Sequence, residues 1–201
     1  MPGTVEAHAH EADEPLMLRF AAGDIAAFDT LYGRHALGAW RYVLRGVREP
    51  AVADDLLQDV WFAVARQACS YQPTARFKTW LFTMAHNRMV DHFRTAKHHV
   101  SLDGASAEDD NNAGQGDLLD TLAADSGFGP VAQLQSRQQA AALIKAVEQL
   151  PIEQREAFLL QAEGDMSVEE IAASTGVSFE TAKSRLRYAR KTLRQWLKEL
   201  A

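Results

Sequence analysis

The chain has 201 residues, of which 47% are hydrophobic and 24% charged, and its formal net charge at pH 7 is −6. Such a length and composition predict a globular protein with one or two domains. The longest apolar runs are far shorter than the roughly 20 residues that span a bilayer, and the acidic N-terminus lacks the cations and apolar core of a secretory signal. We therefore expect a cytoplasmic protein with no direct membrane insertion.

Helix-forming residues dominate the chain, and no segment alternates apolar and polar residues for long. This pattern predicts an all-α fold of two small helical domains joined by a long acidic linker, the C-terminal domain being a helix-turn-helix. Residues 1–15 and 100–130 contain acids but no Lys or Arg, whereas residues 16–99 carry a net charge of +4 and residues 131–201 one of +1. The two acidic stretches are the parts least able to form a core.

Residues 1–15 are predicted to be a disordered tail, followed by two helices between Leu16 and Val47. Gly23 and Asp24 separate these helices, because glycine supplies a turn and aspartate an N-cap. Apolar residues at helical spacing predict the buried faces. These residues are Leu16, Phe20, Ile25, Phe28, Leu31, Tyr32, Leu37, Trp40, Val43 and Leu44.

A third helix, predicted over Ala51 to Ala68, has two distinct faces. One face is apolar and is expected to be buried. The apolar face consists of Leu56, Val60, Ala63 and Val64. The other face combines acids with an apolar ring and consists of Asp55, Gln58, Asp59 and Phe62. Such a patch is either simply solvated or a docking surface, and the residues alone leave both interpretations open.

Pro73 predicts a loop over Ser70 to Arg76, and a long helix is expected from Phe77 to about His99. That helix interleaves aromatic residues with cations and contains one acid, Asp91. The combination is typical of surfaces on which unpaired bases stack while cations neutralise the backbone, and Asn87 is suited to reading a base edge. The alternative is that the aromatic residues belong to the core, and one helix has room for both faces.

Residues 100–130 are predicted to form a flexible linker, which fully extended would reach on the order of 100 Å. This is about three turns of duplex DNA at roughly 34 Å each, so two DNA-binding domains could grip separate sites on one molecule. Helices over Val131 to Gln149 and Glu153 to Glu163 are expected to build the core of the second domain, with Leu150 and Pro151 between them.

The last part of the chain predicts a helix-turn-helix. Ser167 and Glu170 have the spacing of a capping box, Gly176 supplies the turn between the helices, and Ser178 caps the second helix. The second helix carries seven cations and no acid between residues 183 and 198, as expected for a helix that lies against phosphates. Its apolar stripe consists of Ala182, Leu186, Ala189, Leu193 and Leu197. A solvated amphipathic hairpin is the alternative, but the order of caps, turn and charge favours DNA binding.

Five successive segments resemble the motifs of one family: GDIAAFDTLY, DDLLQDVWFAV, FKTWLFTMAHNRMVDHFR, LPIEQREAFLL and SVEEIAASTGVSFETAKSRLRYAR. Over Leu16 to Leu197 the chain resembles the extracytoplasmic-function (ECF) sigma factors, the small two-domain initiation subunits of bacterial RNA polymerase. The resemblance implies a protein that is not an enzyme, with region 2 at residues 16–99 and region 4 at residues 131–201. It also implies that the protein directs core RNA polymerase to promoter DNA.

The resemblance further implies roles for particular residues. Core polymerase would dock on Asp55, Gln58, Asp59 and Phe62. The melted proximal promoter element would be held by Tyr71, Gln72, Lys78, Trp80, Asn87, Arg88 and Arg94. The distal duplex element would be read by Lys183, Ser184, Arg187, Tyr188 and Arg190. Tyr188 stands where the family often has arginine, so the distal contact is expected either to be weaker or to read a different base.

Three partners are implied: core RNA polymerase, promoter DNA and an anti-sigma factor. The acidic linker, unusually long for the family, would lead toward the basic cleft of the polymerase. A stand-alone helix-turn-helix regulator is the closest rival, although it does not explain the aromatic and basic helix. A metal sensor or enzyme built on His86, His92, His98, His99 and Cys69 has no acid at ligand spacing except Asp91. We predict no metal and no cofactor.

Overall fold

In the computed structural model, which describes residues 11–103 and 130–199, the regular structure is α-helical apart from one short 3₁₀ turn. The N-terminal half contains α1 (Asp13–Ala21), α2 (Ile25–Val47), α3 (Pro50–Gln67), the 3₁₀ turn (Ala68–Ser70) and α4 (Phe77–Asp103). The C-terminal half contains α5 (Pro130–Gln149), α6 (Ile152–Ala162), α7 (Val168–Thr175) and α8 (Phe179–Glu199). The predicted all-α class is confirmed.

Helix α1 begins at Asp13, three residues before the predicted start at Leu16. The acids at its start have partners on other helices, which explains the earlier start. Asp13 Oδ2 lies 2.7 Å from His35 Nε2 of α2. Glu14 Oε1 accepts a 2.7 Å hydrogen bond from the backbone N–H of Phe77, at the start of α4. These acids therefore hold α1 against α2 and α4, and the part of the predicted tail before residue 11 lies outside the described residues.

The turn between α1 and α2 follows the local prediction. Gly23 adopts a φ of 101°, which is cheap only for glycine. The Asp24 side chain caps α2 by accepting from the Ala26 N–H at 3.1 Å.

Helices α2, α3 and α4 pack around one core, whose largest fully buried side chains include Leu31, Tyr42, Val43, Val60, Phe77, Leu81 and Phe82. Three residues predicted to be buried were predicted wrongly: Ile25, Tyr32 and Leu37 are 63%, 47% and 42% exposed. They are apolar but only partly covered: the Tyr32 ring, for example, lies 5.0 Å from the Trp61 ring of α3 and is still 47% exposed. Singly exposed apolar residues of this kind are common on protein surfaces.

Helices α6, α7 and α8 form the core of the C-terminal half, with α5 packed against α8. The Leu150–Pro151 break between α5 and α6 occurs where it was predicted. The buried residues of this core include Leu159, Leu160, Ile171, Leu186 and Leu193. In the N-terminal half, α4 continues through Asp103 and so includes the first residues of the predicted linker. Residues 104–129 lie outside the described part of the chain.

The two halves contact each other along what we call the interdomain interface, where α2 and α4 meet α6 and α7. Phe82 of α4 is fully buried there, against Gly164 in the turn after α6. A Cβ on Gly164 would lie 3.1 Å from the Phe82 ring and 2.5 Å from the Leu160 carbonyl oxygen, so this close approach requires glycine. That each half also folds alone stays a prediction.

Candidate nucleic-acid and protein interfaces

The helix-turn-helix is built by local interactions that the sequence predicted. Ser167 Oγ accepts from the Glu170 N–H at 3.2 Å, and Glu170 Oε2 accepts from the Ser167 N–H at 2.7 Å. Gly176 ends α7 with a φ of 66°. Ser178 Oγ accepts from the Thr181 N–H at 3.2 Å and so caps α8. The capping box, the glycine turn and the second cap are all confirmed.

Helix α8 buries one face and exposes another. The buried stripe contains Ala182, Leu186, Ala189 and Leu193, as predicted, while the side chain of Leu197 lies outside the description. This burial leaves the remaining faces, which carry the cations, turned toward solvent.

The exposed face of α8 combines cations with aromatic rings. The Arg187 guanidinium lies 4.9 Å from the centre of the Tyr188 ring, and Lys183 Nζ lies 5.5 Å from the centre of the Phe179 ring. Cation–π contacts of this kind orient a side chain while leaving its hydrogen-bond donors available. Ser184 is half-buried beside them, and Arg190 donates to Gln161 of α6 at 2.5 Å. The five predicted distal-element residues therefore share one helix, four of them exposed.

Helix α4 has a surface that could hold single-stranded nucleic acid. Trp80, Asn87 and Arg94 are spaced by seven residues, about two helical turns, and so lie on one face. Asn87 and Arg94 are exposed, and Trp80 is half-buried. The Trp80 ring centre is 5.0 Å from that of Tyr71, so its inner side is packed against protein.

Other predicted members of this surface are placed differently. Lys78 precedes Asn87 by nine residues, which puts it about half a turn away around the helix. Arg88 is half-buried on an adjoining side, and Gln72 is exposed in the loop. Tyr71 is only 9% exposed, and burial, together with the charges of nearby acids, raises the pKa of its hydroxyl to about 12. This conformation presents Tyr71 as a core residue that supports Trp80, not as a base contact.

The outer face of α3 presents the acidic patch that the spacing predicted. Asp55, Gln58 and Asp59 are exposed, and Phe62 is 54% exposed. Within the described ranges neither Asp55 nor Asp59 has an ion-pair partner. Free carboxylates around an exposed ring suit a partner that offers cations around an apolar pocket.

The interdomain interface contains polar contacts that the sequence analysis missed. Arg76, at the end of the 71–76 loop, donates to Asp165 Oδ2 at 3.0 Å and to Glu170 Oε2 at 2.9 Å. Thr79 donates to Glu170 Oε1 at 2.7 Å. Burial of Glu170 favours its neutral form, but the hydrogen bonds from Ser167, Thr79 and Arg76 outweigh it and lower its pKa to about 2. Glu170 therefore caps α7 and also joins the two halves.

Three further pairs cross the same interface. Arg45 of α2 donates to Glu163 at 2.6 Å, and His86 Nδ1 of α4 lies 2.9 Å from Glu156. The hydroxyls of Thr83 and Ser174 are hydrogen-bonded at 2.5 Å. The sequence did show acids at the start of the helix-turn-helix and Arg76 just before the aromatic helix. Nothing in it indicated that these residues contact each other.

Comparison with known protein families decides the identity of the chain. Residues 31–99 match the family model for sigma-70 region 2, and residues 140–193 match that for sigma-70 region 4. The chain is 33% identical over 184 residues to the RNA polymerase sigma factor CarQ of Myxococcus xanthus, covering 92% of this chain and 97% of CarQ. It is 32% identical over 190 residues to the ECF RNA polymerase sigma factor SigM of Mycobacterium tuberculosis, covering 94% and 86%.

This protein is an ECF sigma factor. The resemblance found in the sequence is thereby confirmed, and a stand-alone regulator is not favoured. The fold of the sigma factor is similar to that of RpoE from Bartonella quintana, solved in complex with the anti-sigma factor NepR. The TM-score is 0.62 at 24% identity, and the match covers 85% of this chain and 96% of RpoE.

The family models assign the surfaces to regions. Region 2 of the sigma factor includes α3 and the α4 surface, region 4 includes α8, and the interdomain interface joins the two regions. No helix in the described ranges is long and apolar enough to cross a membrane. Within the same ranges no three His, Cys, Asp or Glu side chains converge as metal ligands, and the side chains of His98 and His99 are not among those described.

Proposed function

We propose that this sigma factor docks on core RNA polymerase through α3, reads a distal duplex promoter element with α8, and holds one strand of a melted proximal element against α4. The observation that supports the proposal is that two exposed helix surfaces of different chemistry occur on one chain. A capped basic helix suits duplex DNA, and an aromatic and basic helix suits a single strand. The protein would act as a binding subunit, not as an enzyme, in the cytoplasm where polymerase and chromosome are.

Helix α8 would enter the major groove, which is wide enough for one helix. Arg187, Lys183 and Arg190 supply donors for base edges and phosphates, and Ser184 supplies a short hydroxyl near the groove floor. The Tyr188 ring, 4.9 Å from the Arg187 guanidinium, would hold that guanidinium in a fixed orientation and offer an apolar edge to a thymine methyl group.

Replacing Arg187 by alanine is expected to weaken binding of the holoenzyme to the distal element by about 1–3 kcal/mol, or roughly fivefold to 150-fold, because a base-edge contact is lost. The measurement is a gel shift on a promoter that the holoenzyme selects from a random pool. Arg194→Ala is the control, since Arg194 is an exposed cation of the same helix. Arg194→Ala should weaken binding to the selected promoter and to unrelated DNA about equally. Equal losses for both variants would contradict a reading role for Arg187.

The α4 surface would receive bases that have left the duplex. Unstacking a base costs a few kcal/mol, which contacts to the exposed base offset. Trp80 offers a ring face and Asn87 an amide for the base edge, while Arg94, Arg88 and Lys78 would neutralise phosphates on either side. Gln72 lies in the adjoining loop, and Tyr71 would contribute by supporting Trp80 at a ring distance of 5.0 Å.

Asn87→Ala is expected to leave closed promoter binding within about twofold of wild type and to reduce strand opening by roughly tenfold, as one bidentate base contact is removed. Permanganate reactivity of unpaired thymines measures opening, and filter binding at low temperature measures the closed complex. Thr95→Ala, another exposed position of α4, serves as the control and should open normally. Normal opening by the Asn87 variant would argue against the single-strand role.

We also propose an anti-sigma factor as a third partner. The sigma factor RpoE, which has the same fold, was solved bound to the anti-sigma factor NepR. Support on this chain comes from the exposed apolar residues of α3 and α4, Phe62 and Val90, which are 54% and 46% exposed. Such residues offer a repressor apolar contacts on the surfaces that polymerase and DNA would use.

A further inference from the structure

We propose that an acidic corner of region 4 competes with nucleic acid for arginines of region 2, so that the closed arrangement of the two regions is a self-inhibited form. The acidic corner consists of Glu163, Asp165 and Glu170, in and beside the turn between α6 and α7. The proposal rests on the proposed function and adds a means of control that lies within this chain. It requires that the corner releases the arginines before the promoter is engaged.

Charge complementarity is the first argument. Arg45 lies 2.6 Å from Glu163, and Arg41 lies 3.9 Å from the same carboxylate. Arg76 lies 3.0 Å from Asp165 and 2.9 Å from Glu170. Three carboxylates of one region therefore face three guanidiniums of the other, a pattern that resembles the way phosphates are bound by arginine clusters.

The second argument is that the acidic corner accepts hydrogen bonds from the Arg76 guanidinium, as a phosphate of DNA would. One terminal nitrogen donates to Asp165 Oδ2 at 3.0 Å, and the other donates to the Asp165 carbonyl oxygen at 2.5 Å and to Glu170 at 2.9 Å. Arg76 is the last residue of the exposed loop before α4, the helix proposed to hold the single strand. While these contacts persist, its charge is not available to a DNA strand.

The backbone of the corner is adapted to this contact. Asp165 adopts a φ of 52°, a left-handed conformation that is costly for most residues and tolerated by aspartate. It brings the carbonyl and the carboxylate of one residue to the same guanidinium. Beside Asp165, the buried Gly164 packs on Phe82, whose ring a Cβ at position 164 would approach to 3.1 Å. The turn between α6 and α7 is thus shaped to fit region 2.

The ion pair between Arg76 and Asp165 is exposed enough to be reversible. Asp165 and Arg76 are 74% and 47% exposed at their side chains. Ion pairs with this exposure contribute little and are screened by salt. A partner that binds the open form better, such as polymerase with promoter DNA, can therefore shift the population toward it.

A reversible cross-link tests the proposal in the full-length protein. The hydroxyl oxygens of Thr83 in α4 and Ser174 in α7 are 2.5 Å apart, so cysteines at both positions would lie within disulfide reach. Thr83→Cys and Ser174→Cys are combined with Cys69→Ser, which removes the one native cysteine. Diamide closes the bond and dithiothreitol reopens it. Run-off transcription with core polymerase is measured on a promoter that the reduced holoenzyme selects.

The oxidised protein is expected to give at least tenfold less transcript than the same protein after reduction, while each single-cysteine variant is unaffected by diamide. Failure of the bond to form in the free protein would overturn the proposal, because the closed arrangement would then be absent in solution. Equal transcription by the oxidised and reduced forms would also overturn it. If the reduced holoenzyme selects no promoter at all, the proposed function fails instead, so the two failures are distinguishable.

A release variant tests the role of the acids themselves. Asp165→Asn keeps a residue that tolerates positive φ, and combined with Glu163→Gln it removes two of the three carboxylate charges. This variant is expected to bind the selected promoter threefold to tenfold more tightly at subsaturating polymerase. The gain should shrink in an Arg76→Ala background, because the cation that Asp165 holds is gone, while the part that comes from freeing Arg41 and Arg45 from Glu163 should remain. An unchanged affinity, or a gain that Arg76→Ala does not reduce, would contradict competition for Arg76.

Discussion

Reversing the charge of Asp59 is expected to abolish transcription by this sigma factor without unfolding it. Asp59 is exposed on α3, next to Phe62 at 54% exposure, and makes no ion pair within the described residues. A cation there would repel the basic surface that the acidic patch is proposed to meet, and leave it unpaired in the complex. Loss of such a central contact costs about 2 kcal/mol or more, which is roughly a 30-fold weaker complex.

The measurement is the affinity for core polymerase, followed by fluorescence anisotropy, together with run-off transcription. Circular dichroism and thermal unfolding should match wild type, because an exposed substitution of this kind changes stability by about 0.5 kcal/mol at most. Glu49→Arg is the control, an equal charge change at an exposed residue that precedes α3. Full activity of the Asp59 variant would mean that core polymerase docks on another surface of the protein.

Removing the half-buried Glu170 side chain is expected to destabilise the protein clearly. Its carboxylate accepts from the Ser167 N–H at 2.7 Å, from Thr79 at 2.7 Å and from Arg76 at 2.9 Å. Glu170→Ala loses half of the capping box and the link to α4, for a total of roughly 2–3 kcal/mol. Glu170→Gln keeps an acceptor for the cap and should cost less. Urea unfolding measures both.

The same carboxylate predicts a dependence of stability on pH. Because its pKa falls to about 2 in the folded protein from an ordinary value of 4.5, its contribution is complete above about pH 5. The contribution is lost as the pH falls from there toward 2, since protonation then favours the unfolded chain. Glu170→Gln should show a shallower loss of the free energy of unfolding over that range. Glu169→Gln, an exposed neighbour, should follow wild type.

The elements that the sequence predicted correctly depend on interactions between residues close in the chain. Ser167 and Glu170 are three residues apart, and the N-cap at Asp24 bonds two residues ahead. Gly176 adopts a φ of 66° because glycine has no Cβ, and this requires no contact with distant residues. The exposed faces of α3 and α8 follow from helical periodicity, because the buried stripe on one side decides what remains on the other.

Periodicity alone could not decide which apolar residues would be covered. Ile25, Tyr32 and Leu37 fit a buried stripe but are exposed, while Tyr71, expected at a binding loop, is buried against Trp80 and Phe77. Coverage depends on where neighbouring helices pack, and a stripe of apolar residues does not contain that information. The division of α4 into an inner and an outer face was therefore decided by its neighbours.

The interdomain interface is the feature that only the tertiary structure decided. Arg76 meets Asp165 and Glu170 across sequence separations of 89 and 94 residues, and a long connection between them permits many arrangements. In the sequence each of these residues looks like an ordinary surface charge. The residues next to it in the chain do not indicate which residue it will pair with. By itself the sequence determined the helices and their caps, because these follow from short-range patterns, and its motifs indicated the family. The pairing of the acidic corner with the arginines of region 2 depends on shape and charge complementarity between two folded halves, which exists only once both are formed.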